Sequence, residues 1–179
     1  MIGVLIVAGE IAFWAFVLGG LVARYLLRRP HLGVALLLMT PVVDLALIAA
    51  TVIDLRAGAT ADVFYGLAAI YVGVSVAFGH RMIRWADERF AHRFAGGPPP
   101  KRTPKHGPEH ARRQREGWYQ HLLAFAIGST LLFGMVYLVG DPARTESLSA
   151  RAALWALILG IDFVWSFSYT FWPREAKTS

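Results

Sequence analysis

The chain has no cysteine and no asparagine. The first absence excludes disulfide frameworks, thiolate nucleophiles, cysteine-ligated zinc and iron–sulfur clusters; the second excludes an N-glycosylation acceptor. Charge is scarce as well: Asp, Glu, Lys and Arg make up 17% of the 179 residues, against roughly 25% in soluble proteins, while 56% of residues are hydrophobic. Enzyme signatures are missing. No Gly-x-Gly-x-x-Gly, P-loop or His-Glu-x-x-His run occurs. Gly73-Val74-Ser75-Val76-Ala77 approaches the Gly-x-Ser-x-Gly nucleophile elbow, but it lacks the second glycine and sits inside an apolar run rather than at a strand-to-helix turn. The chain is expected to be neither an enzyme nor a carrier of a cofactor or metal.

What is present is long apolar runs. Five stretches, at about residues 2–23, 32–53, 63–83, 118–139 and 150–172, each hold close to the roughly 20 residues that cross a 30 Å hydrocarbon core at 1.5 Å per residue. The expected fold is all-α: a polytopic membrane helix bundle of five spans, forming a single domain over residues 1–179. Arg24 to His31, with three arginines and Pro30, makes a tight turn between the first two runs. The connections 54–62 and 140–149 are short, and 84–117 forms a basic loop.

Lys and Arg on flanking loops set orientation. One side carries Arg24, Arg28, Arg29, the long loop from Arg81 onward and the tail with Arg174 and Lys177; the other carries only Arg56, Arg144 and Arg151. Fifteen basic residues against three place the N-terminus outside and the C-terminus inside. The net charge of +6 then needs no nucleic acid. Interfacial aromatics fall at both boundaries, Tyr25, Trp85, Trp118, Tyr119 and Trp172 inside and Phe64, Tyr65 and Tyr137 outside. Glu10 and the absence of preceding basic residues distinguish the first run from a cleaved signal peptide, so it is expected to be retained.

Residues 81–94 keep a helical period, with Met82, Ile83, Ala86, Phe90 and Phe94 on one side and Arg81, Arg84 and Glu88 on the other, which predicts an amphipathic helix at the membrane surface. Anionic headgroups suit its basic face. Gly96 to Pro100 ends it, and polar turns over Glu109–Glu116 lead into the fourth span. The loop also offers a docking site for a cytoplasmic protein. His92, His106, His110 and His121 raise the question of metal, but Gly107 and Pro108 interrupt the i, i+4 pair.

An acidic group within a span is costly and marks a functional candidate. Counted from the span midpoints, Asp44 and Asp162 lie within roughly 3 Å of the midplane and Glu10 about 5 Å to the outer side, a possible outer gate. Thr40, Asp44, Thr51 and Asp54 share a stripe of the second span, next to Pro41; Trp155, Asp162, Trp165, Ser166 and Tyr169 share a face of the fifth; Tyr71 and Ser75 lie at similar depth on the third, Ser129 and Thr130 on the fourth. No lysine or arginine reaches that depth, so the acids are neutral, share a proton, hold a cation, or meet an arginine of another subunit. A carboxyl in a low-dielectric bundle can load and release a proton near neutrality. The competing reading is a protonated acid acting as interhelical glue. His80, near the inner boundary, reads as a surface histidine or a relay.

Small residues recur every four positions at Ala69, Gly73 and Ala77, at Ala152, Ala156 and Gly160, and at Gly19 and Ala23, which predicts helix contacts there. The run from Pro41-Val42-Val43-Asp44 through Asp54-Leu55-Arg56-Ala57-Gly58-Ala59, with Gly66 to His80, resembles small bacterial integral membrane proteins of the YmcC-like kind. That resemblance implies residence in the bacterial inner membrane and transfers no site residues. Two functions are compatible with these features: proton- or cation-linked transport or sensing through Asp44, Asp162 and Glu10, or an accessory subunit that docks a partner through the basic loop. Five helices without an internal repeat suggest a homo-oligomer or a membrane partner subunit.

Overall fold

A computed structural model describes residues 2–61, 65–94, 97–100 and 106–171, and of residues 2–7, 10, 86, 90, 91 and 94 the backbone alone. The described residues are helical, with no strand among them: α1 (Ile2–Leu21), a π-helical turn (Val22–Leu26), α2 (Pro30–Arg56), α3 (Leu67–Phe94), α4 (Gly107–Val139) and α5 (Pro142–Phe171). Phe64, Trp172, Arg174 and Lys177, assigned above to interfaces and tail, lie outside the described residues.

Among the described residues, three helices are long and apolar enough to cross a membrane: α2, α4 and α5, with mean hydropathies of 2.3, 2.2 and 1.5 over their apolar windows. A shorter apolar helix runs over Ile11–Leu26. The second half of α3 carries Arg81, Arg84, Asp87, Glu88, Arg89 and Arg93, which is why it falls short of that standard. Apolar side chains such as Leu38, Tyr137, Leu157 and Val164 point outward and are exposed. In water such a surface would be an association hazard; against lipid it is the required coat.

Each boundary has a local cause. The π turn closes with the Leu27 N–H on the Val22 carbonyl at 3.0 Å, Arg28 takes a φ of 54°, and Pro30 opens α2, where a missing N–H costs nothing. Gly140, at φ 70°, ends α4 in the left-handed conformation that glycine adopts without penalty. The Asp141 carboxylate then accepts the N–H groups of Ala143 and Arg144 at 3.1 and 3.3 Å, and Pro142 begins α5. The expected ten-residue connection is thus only Gly140 and Asp141, with the rest already helical.

The α3 helix continues without a break through residues 81–94, so the predicted surface helix is an extension of α3 rather than a separate element. No proline or glycine pair interrupts it between Arg81 and Phe94, and backbone hydrogen bonding simply propagates. The polar turns expected over Glu109–Glu116 are present as the start of α4.

Along the bundle, α1 lies on α2, α2 on α3, α3 on α4 and α4 on α5. Leu55, Ala69, Leu132, Met135, Leu148 and Ala152 form the buried core near the Gly140 turn. Close approach comes from glycine. A Cβ on Gly33 would stand 2.8 Å from the Gly20 carbonyl oxygen, and one on Gly73 would strike the Ala124 backbone. On α5 the predicted ridge packs only at Ala152; Ala156 and Gly160 are exposed, because the face that meets α4 is built on Leu148, Ala152, Trp155 and Leu159.

Candidate functional site

Two polar sites lie in the helix bundle, and they are separate. The first is built around α2. Pro41 has no N–H, which leaves the Leu37 carbonyl one turn earlier without its helical donor, and the Thr40 hydroxyl donates to that oxygen instead. Thr40 is therefore committed to the backbone rather than to Asp44. One turn on, Asp44 is 2% exposed, its Oδ2 is fully enclosed, and its carboxyl accepts no hydrogen bond from any described residue. It lines a cavity of about 170 Å³ between α1, α2 and α3, together with Gly9, Phe13, Trp14, Thr51, Tyr65 and Tyr71. Phe13 stacks on Tyr71, ring centroids 5.8 Å apart, and bridges α1 to α3. The Tyr65 hydroxyl donates to Asp54 Oδ2 at 2.9 Å at one end of the predicted stripe. Glu10 lies one turn before Phe13 and Trp14 on α1; its side chain is outside the described residues.

The second site joins α4 and α5. Trp118 donates its indole N–H to the Leu159 carbonyl at 3.2 Å, and Arg115 donates to Thr170 Oγ1 at 2.8 Å, setting the antiparallel register. That register brings His121 Nδ1 to 2.9 Å from Asp162 Oδ2. Trp155 Nε1 stands 3.0 Å from His121 Nε2. An indole N–H can only donate, so Nε2 is the acceptor and the imidazole is held as the Nδ1–H tautomer, directed at the carboxylate. Ser166 completes the group, donating to Asp162 Oδ1 at 3.2 Å. Asp162 thus has a titratable partner within the bundle, which reading only lysine and arginine as partners had overlooked. His121 is the candidate residue that sequence reasoning missed; the signal was a histidine three residues inside an apolar run.

The remaining candidates fall elsewhere. Ser75 is half-buried and belongs to neither site. Tyr169 is buried with its ring 4.8 Å from His110 and 6.3 Å from Trp165, and Trp165 itself is exposed. His80 is exposed beside Arg84. No cluster of potential metal ligands occurs among the described residues.

Nor do Asp44 and Asp162 share a level. Gly73 and Ala69 pack on Gly128, which puts Tyr71 and the Asp44 cavity opposite Gly128, whereas His121 stands seven residues, about 10 Å, nearer the start of α4.

Apolar helices with an outward hydrophobic coat and polar groups turned inward define an integral membrane protein of the α-helical class. The chain belongs to the YmcC family. It is 46% identical over 177 residues, 98% of its own length and 94% of the relative's, to a Bacillus subtilis (strain 168) protein named uncharacterized membrane protein YmcC. No family model and no solved structure matches it.

Proposed function

We propose that this protein carries out proton- or cation-linked transport or sensing in the bacterial cell membrane, with Asp44 and Asp162 as the titrating or cation-binding groups and no enzymatic chemistry. One observation carries the reading: neither carboxyl meets a lysine or arginine among the described residues, since Asp162 faces an imidazole and Asp44 accepts no hydrogen bond. A carboxyl used only as glue would be saturated by hydroxyl or backbone donors, and Asp44 is not. An aspartate and an imidazole 2.9 Å apart hold one proton between two basic atoms, a unit suited to relay. The reading includes five crossings with the N-terminus out, supported by the fifteen-to-three split of basic residues, and a homo-oligomer or membrane partner.

The test is infrared difference spectroscopy of the protein in lipid, titrated with acid and then with Na⁺ or K⁺, comparing wild type with Asp44→Asn and Asp162→Asn. The expected result is a carboxyl band that changes with acid or cation and disappears in one variant. Bands that stay constant through both titrations would favour the second reading, an accessory subunit. That alternative has its own support: α3 and α4 both run on as charged helices beyond their apolar segments, through Phe94 and from Gly107, and so offer a helical surface to a cytoplasmic partner as well as to anionic headgroups.

A further inference from the structure

The Asp44 cavity has a composition that a proton alone does not explain. Its carboxyl is 2% exposed with Oδ2 enclosed and unpartnered, so the ionised form lacks a counter-charge. Thr40 gives it no donor either, since its hydroxyl proton goes to the Leu37 carbonyl. Phe13, Trp14, Tyr65 and Tyr71 line the same cavity beside the aliphatic Leu47 and Leu67, and among the described lining residues Asp44 is the one group that carries charge.

We infer that this cavity binds a small organic ammonium ion, its charge against Asp44 and its alkyl groups against the four rings. The inference deepens the cation-linked reading above by naming the class of cation. Three arguments select that class. Aromatic faces attract weakly hydrated cations, most strongly where water is excluded. Hard inorganic cations require about six oxygen ligands, and the lining offers Asp44, Thr51 and two tyrosine hydroxyls, of which Tyr65 already donates to Asp54. At about 30 Å³ per water, the 170 Å³ cavity holds roughly five waters' worth of ligand, room for a few methyl or ethyl groups but not for a large drug-like cation. Access is lateral: Trp14 and Tyr71 line the cavity and are 60% and 47% exposed, so the mouth opens between α1 and α3 toward the bilayer.

The experiment is equilibrium binding of radiolabelled tetramethylammonium to the full chain in phosphatidylglycerol nanodiscs, where no lipid ammonium competes. Saturable binding is expected, weakened at least about thirtyfold by Asp44→Asn, as for the loss of one member of a buried charge pair. Trp14→Leu, at the exposed mouth, should weaken binding several-fold and keeps the proposal testable if the Asp44 variant does not assemble. Leu157→Ala, on the outward face of α5, should bind as wild type, and excess K⁺ should not displace the ligand. Replacing part of the phosphatidylglycerol with phosphatidylethanolamine separates two sources of the same chemistry: competition identifies a lipid headgroup, and no competition a free amine. Absence of saturable binding, affinity unchanged in both the Asp44 and Trp14 variants, or displacement by K⁺ would overturn the inference. If an infrared carboxyl band assigned to Asp44 still responds to acid while tetramethylammonium fails to bind, the ammonium site falls and proton handling stands; if Asp44 and Asp162 respond to nothing, both fall.

Discussion

At the scale of single residues, the chemistry turns on which hydrogen bonds are already committed. Trp155 has only one proton to give and gives it to His121, which fixes the ring proton on the side of Asp162. Trp155→Phe removes that constraint while keeping an aromatic ring. Nitrogen NMR of labelled histidine should then change from a single Nδ1–H tautomer to a mixture; an unchanged tautomer would mean that Asp162 alone orients the ring. At Asp44 the opposite holds, since the carboxyl has nothing to lose. Asp44→Leu replaces an unpartnered buried polar group by an apolar one beside a cavity able to take it, and thermal unfolding should show stabilisation by about 1–3 kcal/mol. The acids, Ser166 and Tyr71 were readable from helical period because costly residues in apolar runs stand out. His121 was not, because its partner is 41 residues away and only the register of two helices brings them together.

At the scale of helices, the α3–α4 crossing determines how the His121 site is held. Gly128 lies against the Ala69 carbonyl on one side and the Trp155 ring on the other, so a single glycine admits both a backbone and the indole that orients His121. Gly128→Ala should cost about 1–3 kcal/mol through overpacking and displace Trp155, so that the histidine tautomer loosens as it does in Trp155→Phe. Denaturant or thermal unfolding read beside the same NMR signal checks both effects; loss of stability with an unchanged tautomer would detach the crossing from the site. The crossing has the four-residue spacing on both sides, Ala69 and Gly73 on α3 and Ala124 and Gly128 on α4, and the α3 pair alone was singled out from the sequence. The opposite happened on α5, where Ala156 and Gly160 have the spacing but face outward. Spacing reports that a smooth face exists; which face is buried depends on where the large side chains seat, here Trp155 of α5 against Gly128 of α4.

At the scale of the whole molecule, the α1–α2 hairpin is fastened to the other three helices at both ends. At one end Arg56 donates to the Leu138 carbonyl and Arg144 to the Leu55 carbonyl, at 2.8 and 3.2 Å. At the other, the π turn presents Arg24 and Tyr25 together to Asp87 on the extension of α3. Arg24 Nε and Nη2 donate to the two carboxylate oxygens at 2.9 and 2.5 Å, and the Tyr25 hydroxyl donates at 2.8 Å. The basic turn and the charged helix were each legible in sequence, but their pairing was not, because an extra residue in the turn and an unbroken α3 are both needed to align them. Hydrogen bonds from Arg24 hold the Asp87 carboxyl below its ordinary value against the opposing effect of burial. A lowered carboxyl contributes stability above the normal carboxylate range of about 4 and loses it as pH falls through the folded value. Tyr25 is shifted upward, by burial first and by its bond to Asp87 second, so its part is complete below about pH 10 and is lost as pH rises through its folded value. The clamp should therefore hold fully between about pH 4 and 10. The pair is partly exposed, so Asp87→Asn should cost no more than about 1 kcal/mol of global stability. Its effect should be concentrated at the π turn: amide exchange across Val22–Leu26 should quicken in Asp87→Asn at neutral pH, and in wild type only as pH falls below about 4. After correction for intrinsic exchange rates, equal protection in the two proteins at neutral pH would show that the α1–α2 hairpin is held by apolar packing alone.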